Sequence, residues 1–139
     1  MRTHRRTHRR SVRVEYQLPD QATSAARARR LTSAFLARPR HQMAPVHAEQ
    51  IDDATLIVSE LVANATRHGH GGCRLRLRVT DEQVTVEVSD DSPARPRLRP
   101  PAAEAESGRG LAMVRCLAEH FDVTPVTGGG KRVRAILAI

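Results

Sequence analysis

The chain has 139 residues, 40% of them hydrophobic but only 2% aromatic, and a formal net charge of +8. That length suits one domain with one core, built from Leu, Val, Ile and Ala rather than from rings. No apolar run approaches the ~18 residues of a membrane span, and two cysteines, Cys73 and Cys116, make no disulfide framework, so a reduced, cytoplasmic setting is expected.

The charge is unevenly placed. The first ten residues, MRTHRRTHRR, hold five arginines and no acid, which leaves +3 for residues 11–139. The sequence therefore predicts a disordered basic tail over 1–10 and a folded domain over 11–139. Direct nucleic-acid binding is not expected of a body that carries so little net charge and so few aromatics for base stacking.

Residues 11–18 (SVRVEYQL) alternate Val12, Val14, Tyr16 and Leu18 with polar residues and read as a half-buried strand. Pro19 ends it. Residues 21–38 are rich in Ala and Arg, lack Gly and Pro, and predict a first helix with Ala28, Leu31, Ala34 and Phe35 as its apolar stripe. After a connection broken by Pro39 and Pro45, residues 48–68 predict a second helix. Its arc of Ile51, Ala54, Ile57, Val58, Leu61, Val62 and Ala65 has Glu60 and Asn64 at one edge, one turn apart, with Arg67 just beyond. A merely solvated helix would carry its charges on the far side.

Residues 74–80 (RLRLRVT) and 83–90 (QVTVEVSD) alternate strictly around Asp81-Glu82 and predict an antiparallel hairpin. Residues 91–107 break all periodicity and hold four prolines; a loop of this length in a small domain is functional or disordered. Gly108-Arg109-Gly110 then launches a third helix over 111–119, which would bury Cys116. Strands over 121–127 and 131–139 close the chain around a glycine turn. The order β-α-α-β-β-loop-α-β-β predicts an α+β fold, a two-layer α/β sandwich with a mostly antiparallel sheet and three helices on one face.

Three polar features punctuate this pattern, and each alone has an ordinary reading. Glu60 and Asn64 suit a helix boundary, Asp90-Asp91-Ser92-Pro93 suits a turn, and a Gly-x-Gly suits any helix start. Together they suggest nucleotide chemistry. Glycines at a helix N-terminus let backbone N–H groups approach a phosphate, and the helix dipole favours the anion. Asn64 offers a neutral oxygen to Mg²⁺, which takes few protein ligands and leans on phosphates. Glu60 could accept a proton from a group attacking a terminal phosphoryl. Asp90 is an acceptor suited to an exocyclic amine such as that of adenine, and the 91–107 loop would be a lid. A zinc reading of His68, His70 and Cys73 is weaker, since three such residues across a Gly-rich turn often bind nothing.

At these residues the chain resembles a known family. SELVANATRHG is similar to the asparagine box of the GHKL ATPase superfamily (gyrase, histidine kinases, MutL), VEVSDDSP to its first glycine box, and GRGLAMV to its second. The resemblance runs from residue 11 onward and is closest to the stand-alone anti-sigma factor kinases of the SpoIIAB/RsbW type, in their Arg-rich actinomycete form. It implies a Bergerat ATP-binding fold and ATP with Mg²⁺ as cofactors. It implies Glu60 as catalytic base, Asn64 on Mg²⁺, Arg67 on phosphate and Asp90 on adenine, with Ser92 in the same box. Gly108, Arg109, Gly110 and Leu111 would cradle phosphates. It further implies a serine/threonine kinase acting on an anti-anti-sigma (STAS-type) protein, with a sigma factor as second partner and homodimers common in the class.

The chain departs from that pattern twice. The first glycine box usually runs Asp-x-Gly-x-Gly, but here reads Asp90-Asp91-Ser92-Pro93-Ala94. Relatives keep a Thr after a Gly near the last strand, where this chain has Gly130-Lys131-Arg132-Val133. The first departure motivates an alternative: a regulatory module that binds nucleotide or only a protein partner without kinase turnover.

Overall fold

The computed structural model describes residues 10–68, 71–90, 110–127 and 129–139. The elements are β1 (Ser11–Leu18), α1 (Ser24–Ala37), α2 (Ala48–His68), β2 (Cys73–Thr80), β3 (Gln83–Asp90), α3 (110–117), β4 (His120–Pro125) and β5 (Lys131–Ala138). The five strands form one sheet in the order β1-β2-β3-β5-β4, and every neighbouring pair is antiparallel. Three helices and this sheet make the expected two-layer α+β sandwich.

Period-2 alternation decides which face of the sheet is covered. On β2, Cys73, Leu75, Leu77 and Val79 are buried under the helices, while Arg74, Arg76 and Arg78 point to the open face. On β3, Val84, Val86, Val88 and Asp90 are buried in the same way. The hairpin turn at 81–82 is secured by the Thr80 hydroxyl, which accepts from the backbone N–H groups of Glu82 (3.1 Å) and Gln83 (3.0 Å). On the open face Arg76 donates to Glu15 Oε1 at 2.8 Å and to Glu87 Oε1 at 3.3 Å. Those carboxylates push its guanidinium pKa upward, Glu15 most strongly.

The helix α2 lies over β2 and β3 and buries Ala54, Ile57, Val58, Leu61, Val62 and Ala65, an i, i+3, i+4 stripe. Its N-terminus is held by Gln50 Oε1, which accepts from the His47 backbone N–H at 3.1 Å, half of a capping box. At the C-terminus of α1, Arg40 Nη1 donates to the carbonyls of Leu36 (3.2 Å) and Arg38 (2.9 Å), satisfying groups a helix end leaves open. Partial burial and the neighbouring Arg38 lower the pKa of Arg40. At Gly72 a Cβ would overlap the Leu18 carbonyl oxygen, so only glycine lets the chain pass the end of β1 into β2.

Two expectations need correction. The buried stripe of α1 is Ser24, Ala28, Thr32, Phe35 and Leu36, with Ala34 exposed. An Ala-rich helix has little hydrophobic contrast, and the large Phe35 and Leu36 set its rotation by the area they bury. Cys116 is exposed, not a core thiol. The helix α3 is only two turns long and buries Val114; Cys116 lies two residues further round, about 200° away. The 1–9 stretch of the tail and the 91–109 segment, with the expected lid, lie outside the described residues.

Candidate functional site

The long helix α2 brings Glu60 and Asn64 to the margin of the core, both half-buried. Glu60 meets the start of α3. Its carboxylate lies directly against the Cα of Gly110, where a Cβ would overlap Oε1. A side chain at 110 would push this flexible carboxylate aside, so the glycine is what lets the acid and the helix start approach closely. The positive end of the α3 dipole is thereby aimed at an acid. One turn along, Asn64 has no side-chain hydrogen bond among the described residues, so its carboxamide is available to a ligand. Leu111, next to Gly110, is half-buried against the core.

Asp90 closes β3 and faces the helix layer, its side chain 2% exposed. Across the strand pair stands Lys131, the first residue of β5 and in register with Asp90. The Lys131 ammonium sits 2.8 Å from Asp90 Oδ2 and its side chain is 13% exposed. A pair this sheltered from solvent satisfies both charges. On the other side of Asp90, in register on β2, is Cys73. Burial first, then the charges of Asp90 and Asp20, push the Cys73 thiol from its ordinary 9.0 up to about 11, so it stays protonated at neutral pH.

The structure therefore brings Glu60 to Gly110 and Asp90 to Lys131. It places Asn64 one turn from Glu60, on the same helix. Arg67 belongs to the last turn of α2, and its side chain lies outside the described residues, as do Ser92, Gly108 and Arg109. The zinc reading gains nothing: the His68 side chain and His70 are outside the described residues, and no group of three ligating side chains occurs among those described. The Lys131 partnership was not legible beforehand. The one available sign was that Lys131 is the sole lysine of a chain that otherwise uses arginine.

The model of the histidine kinase-like ATPase domain matches residues 18–137. The chain belongs to that family. No curated protein matches it. Among solved structures, the ATPase domain is similar to the RsbU and RsbW domains of Rv1364c from Mycobacterium tuberculosis, with a TM-score of 0.64 and 20% identity. The match covers 91% of this chain and 32% of that one, so this histidine kinase-like ATPase spans about a third of the length of that larger protein. At that identity the likeness is one of fold. Family membership makes the chain a nucleotide-binding domain. No helix among the described residues is long and apolar enough to cross a membrane.

Proposed function

We propose that this ATPase domain is an ATP- and Mg²⁺-dependent serine/threonine protein kinase of the anti-sigma class. Its phosphorylated partner would be a STAS-type anti-anti-sigma protein and its second partner a sigma factor. One observation carries the reading: the Glu60 carboxylate packed against Gly110 at the start of α3, with the unengaged Asn64 carboxamide one turn along. Gly110 opens α3 beside that acid, a helix start whose backbone N–H groups suit phosphate oxygens, and Asn64 has the neutral oxygen that Mg²⁺ accepts. The residues present fit the group at this end.

Bound ATP with Mg²⁺ would supply the transferable phosphoryl group and the charge neutralisation that such transfer requires. The chain's own part is to place and deprotonate. Glu60 Oε would accept the proton of the incoming serine or threonine hydroxyl, as a positioned general base. Half-burial keeps the carboxylate near the core and beside the start of α3. Gly110 and Leu111 would present backbone N–H groups to phosphate, and Asp90 would accept from the exocyclic amine of adenine. The likeness of SELVANATRHG and GRGLAMV to the motifs of the RsbW type supports a place for this chemistry in a sigma-factor pathway.

The test is phosphotransfer to a co-encoded STAS-type protein. Glu60→Ala should slow transfer by roughly 10²–10⁴-fold. A variant as fast as the wild type would overturn the assignment of the base. A second reading, a module that binds without turnover, is favoured by the ion pair on Asp90. It predicts saturable ATP binding with no transfer to any partner.

A further inference from the structure

We infer that Lys131 is a built-in competitor for the nucleotide base: its ammonium holds the carboxylate that would read adenine, and the base binds only after displacing it. The inference rests on the proposed role of Asp90 in base recognition. The Lys131 Nζ to Asp90 Oδ2 distance is 2.8 Å, both side chains are largely buried, and the two residues are register partners at the end of β3 and the start of β5.

The backbone fixes this arrangement. Immediately before Lys131 the chain turns through Gly129 (φ 107°) and Gly130 (φ 92°), angles that glycine adopts without strain. Val126 closes the turn in both directions: its N–H donates to the Gly130 carbonyl at 3.0 Å, and its carbonyl accepts from the Gly129 N–H at 3.0 Å. The ammonium is thus delivered to Asp90 by a pinned strand end, with little ordering left to be done when the pair forms.

The two competing donors are unequal. An exocyclic amine is a neutral donor, whereas an ammonium–carboxylate contact is charge-assisted and roughly twice as strong. Sequestered from water, the pair is also poorly screened by salt. The amine therefore wins only with help from the phosphate end, and only if the ammonium can reach solvent. The four-carbon lysine stem permits that: it can stay against apolar surface while the head swings outward. Arginine would hold two oxygens with a rigid fork, but the sole lysine in a chain of arginines holds one with a movable point charge.

Titration calorimetry of the full chain tests this with two probes, Mg-ATP and inorganic tripolyphosphate, which has phosphates but no base. In Lys131→Met, which keeps most of the stem and loses the charge, Mg-ATP should bind at least about tenfold tighter than to the wild type, with tripolyphosphate affinity unchanged. Equal or weaker ATP binding by the variant, with the wild type still binding ATP, overturns the competitor role alone and leaves the nucleotide site standing. Absence of binding of both probes to both proteins overturns the nucleotide site and the competitor together.

A measurement on the unaltered protein covers a variant that fails to fold. With a single lysine, selective ¹⁵N-lysine labelling yields one side-chain ammonium signal. That signal should shift and exchange faster with water at saturating Mg-ATP, and stay unchanged with tripolyphosphate. A signal indifferent to saturating ATP overturns the displacement.

Discussion

The two ends of the site are built on opposite principles. At the α2–α3 end an acid is packed against a residue with no side chain, and the carboxylate of Glu60 lies against Gly110. At the β3–β5 end an acid is packed against a cation, and Asp90 is held by Lys131 at 2.8 Å. The first arrangement leaves a half-buried acid responsive to whatever approaches the helix start. The second commits a buried acid to an internal partner, and its stability depends on keeping that partner. One carboxylate stands half-buried at a helix start, the other is restrained by an ion pair, although both lie at the margin of the same core.

That contrast can be broken by substitution. The largest effect is expected at the β3–β5 end. Asp90→Ala removes a buried ion pair and lets the Lys131 ammonium turn toward solvent, and should cost about 1–3 kcal/mol in urea unfolding. A loss below about 1 kcal/mol would mean the pair behaves as an exposed one. The neighbouring Cys73 gives a pH-dependent version of the same test. Its folded pKa, about 11, is above the ordinary 9.0, so its contribution is full below pH 9 and is lost as pH rises toward 11. Wild-type stability should fall by roughly 2–3 kcal/mol across that window, and Cys73→Ala should remove the slope. Under native conditions the exposed Cys116 should alkylate while Cys73 does not.

At the α2–α3 end the prediction reverses. In Gly110→Ala the new Cβ meets the far end of a flexible side chain, so unfolding stability should change by less than about 1 kcal/mol. The displaced Glu60 carboxylate should nonetheless slow phosphotransfer by about 10–100-fold. Loss of stability without loss of transfer would invert the comparison. The smallest effect is expected away from both ends. Arg76→Ala removes two exposed ion pairs and should cost at most about 1 kcal/mol, a difference that disappears in high salt.

Much of the fold was legible because short-range periodicity carried it. Leu75, Leu77 and Val79 alternate with Arg74, Arg76 and Arg78, and no other reading of that segment buries one row and solvates the other. The stripe from Ala54 to Ala65 did the same for α2 and put Glu60 and Asn64 at its edge. Legibility failed where contrast was weak. In α1, alanines on several faces left the rotation undecided until Phe35 and Leu36 were packed, and Thr32 rather than Ala34 went inside. In α3, two turns were too few for an apolar composition to bury every face, and Cys116 stayed out.

The sequence by itself determined the element types and the faces of β2, β3 and α2, and it put Glu60 and Asn64 at the edge of the buried stripe of α2. Those properties depend on neighbours within a turn or a strand, where spacing fixes direction. Only the tertiary structure decided which residues meet. Glu60 reaches Gly110 because α2 and α3 share one face of the sheet, and Asp90 reaches Lys131 because β5, not β4, pairs with β3. Pairing between distant strands is set by the packing of the whole sheet, and no local pattern encodes it.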